Sequence, residues 1–170
     1  MQILQLQQEN HIEHIEETER KTQGFVTLRH DMKILEQMHR VAPTVIVKED
    51  DMVVAYALTM LQESRPLIPD LAPMFDLFDH LNWNNKPLNE YSFYVMGQVC
   101  IDKQYRGQGL FDELYRHHRK IYQSRFDLFI TEISTRNHRS IRADERVGFK
   151  TIHTHRDELE EWAIVGWDWN

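Results

Sequence analysis

"IDKQYRGQGLF", residues 101–111, places two glycines, an arginine and two glutamines between an apolar run and a helical pattern. Downstream, Leu110, Phe111, Leu114, Tyr115, Ile121 and Tyr122 fall on one face at a period of 3.6. A helix therefore starts at the glycines. Its first amide N–H groups lack intrahelical acceptors and carry partial positive charge, so glycine-thinned backbone here predicts an anion site. Asp112 and Glu113 in the first turn suit the helix dipole, as do His117, His118, Arg119 and Lys120 toward the other end. Residue type excludes two common phosphate loops. A P-loop needs Lys and Ser or Thr after the last glycine, where Leu110 and Phe111 stand; a dinucleotide fingerprint needs a third glycine, where Asp112 stands.

Working outward, 170 residues at 41% hydrophobic content suffice for one sizeable core, which predicts a single domain over residues 1–170. The net charge of -7, from 27 acidic and 20 basic residues, argues against a nucleic-acid partner, which needs a basic footprint. Cys100 is the only cysteine, so no internal disulfide is expected and a reducing cytoplasm is the predicted compartment. No basic leader precedes an apolar run and no stretch of about 18 apolar residues occurs, so a soluble protein without a membrane partner is expected.

Helical spacing predicts amphipathic helices over residues 9–22 and 31–40. "TVIVKEDDMVVAYALTM" (44–60) reads as an antiparallel hairpin turning at Lys48 to Asp51. Residues 62–90 hold four of the five prolines together with Met74, Phe75, Phe78 and Trp83, which predicts a long apolar loop serving as a lid or binding surface. "YSFYVMGQVCI" (91–101) is a strand interrupted by Gly97, the mark of a bulge or a close backbone approach. "FDLFITEI" (126–133) is a nearly continuous apolar strand suited to a sheet interior. Asn137 opens a helix that Gly148 stops, and residues 149–155 and 162–170 form a closing hairpin. The sum is an α/β (α+β) chain with a mixed sheet and helices on both faces.

Gln104-x-x-Gly107-x-Gly109, following the strand "GQVCI", resembles the acyl-coenzyme A pyrophosphate loop of the GNAT N-acetyltransferase superfamily. A second stretch, "NHRSIRADERVGF" (137–149), resembles that family's N-x-x-A-x-x-x-Y-x-x-x-G-F helix, with Asn137, Gly148 and Phe149 in register. The spacing of the two motifs also fits, and the likeness covers roughly residues 91–155. It implies a mostly antiparallel central sheet, acetyl-CoA as acyl donor, no metal, and a small-molecule or peptide amine as acceptor. The donor-binding residues it implies are Val99, Cys100 and Ile101 along the pantetheine arm and Gln104, Tyr105, Arg106, Gly107, Gln108, Gly109, Leu110 and Phe111 at the pyrophosphate. Asn137 matches the asparagine that commonly contacts the coenzyme.

The implied reaction is direct attack of an amine on the thioester. Glu132 stands where some members carry a base; its structural alternative is an ion pair with Arg136 or Arg139. Asp144 replaces the family tyrosine proposed as the acid, and Ser140 replaces the alanine. An unperturbed Asp is ionised at pH 7, so Asp144 serves as an acid only if burial raises its pKa. Tyr105, Tyr115 and Tyr122 are equivalent substitutes at this level. Cys100 reads as a packed side chain rather than a nucleophile, and the pairs His11/His14 and His153/His155 as ordinary histidines without a third metal ligand. The tryptophans read as core or homodimer contacts, with Trp83 in the long segment as a candidate for the acceptor pocket. Asp70, Asp76, Asp79 and Glu90 are candidates to attract a cationic acceptor. The departure at Asp144 also motivates a second function, a non-catalytic acyl-CoA binding or sensing module; a nucleotide-phosphate binder is the third.

Overall fold

The structure, a computed structural model, describes residues 2–20, 23–158 and 160–169, without the side chain of Asp70. Its elements are α1 (Gln2–Glu9), α2 (Glu17–Arg20), α3 (Met32–Val41), β1 (Val45–Glu49), β2 (Met52–Met60), α4 (Ala72–Phe78), β3 (Asn82–Trp83), β4 (Lys86–Pro87), β5 (Phe93–Ile101), α5 (Leu110–Tyr122), β6 (Leu128–Ser134), α6 (His138–Val147), β7 (Lys150–Arg156) and β8 (Glu161–Asp168). Among the described residues six strands form one sheet in the order β1-β2-β5-β6-β8-β7, and β3 and β4 form a separate ribbon. Every neighbouring pair in the large sheet is antiparallel except β5 with β6. The mixed sheet flanked by helices is the architecture expected from the sequence.

Alternation along the strands divides the core between two faces. One face packs Tyr56, Leu58, Met60, Phe93, Val95 and Ile130 against side chains of α1, α3 and α4. The other packs Ala57, Tyr94, Met96, Phe129 and Val165 against Leu114, Tyr115 and Tyr122 of α5. In β5 the alternation changes phase. Register against β2 runs from Met96 opposite Thr59 to Gln98 opposite Leu58, so Gly97 is the extra residue of a bulge. A single extra residue moves every later side chain to the opposite face. Phe93 and Val95 therefore share a face with Cys100, whereas Tyr94 and Met96 share one with Val99 and Ile101.

The bulge also ends a pairing. β5 and β6 are in register only at Phe93, Tyr94 and Val95 against Leu128, Phe129 and Ile130. Thr131 Oγ1 donates to Met96 O at 3.2 Å where the ladder stops. Past that point the two parallel strands are unpaired with each other, leaving a wedge in mid-sheet.

Three expectations need correction. The helix expected over residues 9–22 is broken, and the longer helix lies upstream at α1. His11 bridges Val26, Ile12 N–H donates to Val26 O at 2.9 Å, and Val26 N–H donates to Asn10 O at 3.0 Å, so this stretch spends its backbone groups on a distant segment. Lys21 and Thr22 lie outside the described residues. Residues 62–90 are not a loop but a run of short elements, because burial of Met74, Phe75 and Phe78 orders α4. His118 is buried under the sheet, its Nε2 3.3 Å from Ala57 O, and burial lowers its pKa to about 4; it is neutral and adds no charge to the end of α5. Gly148 ends α6 as expected, at φ 124°, and a Cβ there would stand 2.8 Å from Trp167 Nε1. Gly148→Ala is expected to destabilise the fold by about 1–3 kcal/mol, measured as the shift in urea midpoint.

Candidate active site

The stretch 101–111 folds as a turn feeding a helix. Asp102 caps the turn at residues 103–105, its Oδ1 accepting from Gln104 N–H at 2.8 Å and its carbonyl from Tyr105 N–H at 2.9 Å. Those amides are consumed, as is that of Arg106, which donates to Lys103 O. The cradle expected from residue 105 onward therefore begins at Gly107. Gly107 and Gly109 have φ of 78° and 83°, the left-handed region that glycine enters without strain, and nothing lies within 4 Å of where a Cβ would stand. Gly109 is the N-cap of α5 with no side chain capping the helix. Uncapped N–H groups at a helix start, facing open space, suit an anion.

This cradle opens into a cavity of about 370 Å³. All of the expected donor-site residues except Gln104 and Gln108 line it, with Asn137 on its far wall. The two glutamines instead bond to each other on the surface, Gln108 Nε2 donating to Gln104 O at 3.0 Å. The Arg106 side chain acts as a strap: it donates to Ile101 O at 3.1 Å, Asn10 Oδ1 at 2.6 Å and Gly24 O at 3.2 Å, tying the N-terminal segment to the end of β5. Arg139 and Arg146 of α6 also line the cavity. They were missed in the sequence, although 139, 143 and 146 recur at helical spacing on one stripe. Asn10, Gly24, Phe25 and Val26 had no local signal, since long-range packing alone brings them here.

A second cavity, of about 710 Å³, lies across the wedge and shares Phe25, Val26, Val99, Asn137 and Ser140 with the first. Glu132 and Asp144 both line it. The arginine pairs anticipated for Glu132 do not form: Arg136 pairs with Glu160 and Arg139 donates to Gln23 Oε1 at 2.7 Å. Glu132 Oε1 instead lies 2.5 Å from Nε2 of His155, so this histidine is not the bystander expected from its position in β7. Burial raises the Glu132 pKa, and the His155 contact opposes the rise.

Asp144 is 1% exposed and its Oδ1 has no hydrogen-bond partner. Burial raises its pKa to about 8, with the neighbouring Tyr115 hydroxyl opposing the rise. A carboxyl shifted in that direction favours its protonated form. Of the three tyrosines, Tyr115 lines this cavity, Tyr122 donates to Pro43 O at 3.0 Å, and half-buried Tyr105 donates to Glu49. Cys100 packs as expected, with its thiol 3.7 Å from Leu6 O and burial pushing its pKa to about 12.

Part of the 62–90 segment reaches the second cavity: Leu71, Pro73, Met74 and Leu77 line it. Trp83 does not; it is 5% exposed and its Nε1 donates to Asp168 Oδ2 at 3.1 Å, so it belongs to the core. Of the acidic residues singled out in the segment, Asp76 and Asp79 pair with Arg65 and Glu90 with Lys86. The side chain of Asp70 lies outside the described residues. Among the described residues no cluster of His, Cys, Asp and Glu is placed to hold a metal, and no helix is long and apolar enough to cross a membrane.

No family model and no curated protein sequence matches the chain. Solved structures do. A GNAT family acetyltransferase from Streptococcus agalactiae 2603 superposes with a TM-score of 0.65 at 15% identity, covering 99% of this chain and 89% of its own. The NatC complex bound to Gag peptide and CoA gives a TM-score of 0.61 at 11% identity, with 85% and 84% covered. The ribosomal-protein-S18-alanine N-acetyltransferase from Escherichia coli gives 0.59 at 15% identity, with 98% and 85% covered. The chain thus has the fold of the GNAT acetyltransferases.

Proposed function

From that shared fold, we propose that residues 1–170 form one N-acetyltransferase domain that moves an acetyl group from acetyl-CoA to a primary amine. The observation that carries this is the meeting of two cavities at the β5/β6 wedge, one built for an anion and one holding Glu132 and Asp144. The donor fits the first cavity by its chemistry: the N–H groups at residues 107–111 and the guanidinium group of Arg139 suit its phosphates, while Arg146, also on the wall, is paired with Asp112 at 2.5 Å. Val99, Cys100, Ile101 and Asn137 line the path from there to the wedge and suit the pantetheine arm. Acetyl-CoA supplies the activated thioester. The acceptor enters through the second cavity.

An amine with a lysine-like pKa is protonated in all but about one part in a few thousand at pH 7. Glu132 accepts its proton, directly or through water, and His155 orients the carboxylate and opposes the rise in its pKa. As the nitrogen bonds to the carbonyl carbon, the carbon–sulfur bond breaks, and protonated Asp144 returns a proton to the coenzyme A sulfur. A buried carboxyl near pH 8 meets the requirement that an ordinary aspartate fails.

The donor assignment has a direct test. Acetyl-CoA is expected to raise the melting temperature with the logarithm of its concentration above its dissociation constant, whereas ATP and NAD at equal concentration raise it little. In Gly109→Val the acetyl-CoA shift is expected to fall by more than half, because a branched side chain enters the cradle at φ 83°. Stabilisation by all three ligands alike favours the nucleotide binder instead. Tight acetyl-CoA binding without coenzyme A release on any amine favours the sensing module.

A further inference from the structure

The second cavity has two chemically different walls. One carries the ionisable set Glu132, Asp144, His155, Arg156 and Asp157, and the other is apolar, with Leu71, Met74 and Leu77 from the α4 region on the same sheet face as Met60. Asp76 and Asp79 do not line it and are held by Arg65. The apolar wall offers no partner to the further cations and hydroxyls of a polyamine or aminoglycoside laid against it. An amine with an apolar body buries that body there and presents only its nitrogen to Glu132.

We propose that the acceptor is a primary amine carried on a single apolar body, alkyl or aryl, and that the α4 wall selects it. This rests on the amine-acetylation reading of the site. Leu71 and Leu77 are the specificity-determining residues: both are half-buried and line the cavity, whereas Phe75 and Phe78 of the same segment are committed to the core.

The test is a homologous series of linear alkylamines from ethylamine to octylamine, followed by coenzyme A release at saturating acetyl-CoA. Amine basicity is nearly constant across the series, so only apolar area changes. kcat/KM is expected to rise about three- to fourfold per methylene until the wall is covered. Leu71→Ser and Leu77→Ser are each expected to flatten that slope. Two further arms separate the sources of such an amine. Preference for a Leu-initiated over a Ser-initiated hexapeptide assigns the apolar body to a peptide N-terminus, and a steep alkylamine series without peptide turnover assigns it to a small molecule. A flat series with spermidine or kanamycin preferred overturns the proposal while leaving acetyl transfer intact. An unchanged slope in both serine variants overturns the role of the α4 wall. Absence of acetyl-CoA binding in calorimetry of the wild-type protein removes the transferase reading itself, and this proposal with it.

Discussion

Glu132→Gln is expected to lower kcat/KM for amine acetylation by about 10²- to 10⁴-fold, the usual contribution of a positioned general base. Acetyl-CoA titrated into the variant should bind as it does to the wild type, because Glu132 lines the acceptor cavity and not the donor one. The substitution keeps the size of the side chain and removes only its capacity to take a proton. The pH profile identifies the mechanism. Burial raises the Glu132 pKa, so the acidic limb of kcat/KM is expected above the ordinary carboxylate range, and it should vanish in Glu132→Gln. His155→Gln removes the group that opposes that rise, so its limb should move to higher pH while activity on the alkaline side persists. Equal activity of Glu132→Gln and wild type from pH 5 to pH 9 would falsify the base assignment.

The second large effect is a split between activity and stability at Asp144. Asp144→Asn is nearly isosteric with the protonated acid but has no proton to return to sulfur, and kcat is expected to fall about 10²-fold. Stability should move the other way. Below about pH 4 the carboxyl is protonated in both the folded and unfolded chain. As pH rises from there, the unfolded chain ionises while the folded carboxyl, with its pKa raised from 3.8 to about 8, does not. Wild-type stability is therefore lost across that window, and the asparagine variant escapes the loss. The gain at pH 7 is at most about 4 kcal/mol and disappears near pH 4, read as the difference in urea midpoints between the two proteins at each pH. A variant that is no more stable at pH 7 than at pH 4, relative to wild type, means that Asp144 is ionised in the folded protein. Full activity in that variant means that the sulfur takes its proton elsewhere.

Local patterns made much of this protein legible. The glycine pair, the helix after it, the bulge at Gly97 and the Asn137 to Gly148 helix all depend on residues within a few positions of one another, where backbone conformation and side-chain period act directly. Residues 9–22 were misread because Asn10 and Ile12 pair with Val26, and nothing within the segment announces that partner. The acidic residues near α4 looked like an attraction for a cation, yet Arg65, more than ten positions from Asp76 and Asp79, neutralises them. Arg106 looked like a phosphate ligand, and its bonds to Asn10 and Gly24 turn it into a strap.

By itself the sequence determined that a glycine-started helix follows a bulged strand and that a second capped helix lies at a set distance, both consequences of φ, period and residue identity. The resemblance to the GNAT motif adds that Asp144 stands where that family has tyrosine. Only the tertiary structure decided what Asp144 is. Its pKa depends on exclusion of water by packing from distant parts of the chain, and no count of neighbours in sequence measures that. The same holds for the pairing of Glu132 with His155 across the sheet, and for the wedge where β5 and β6 part. There the local cause, one extra residue at Gly97, acts only because a parallel neighbour has been placed beside it.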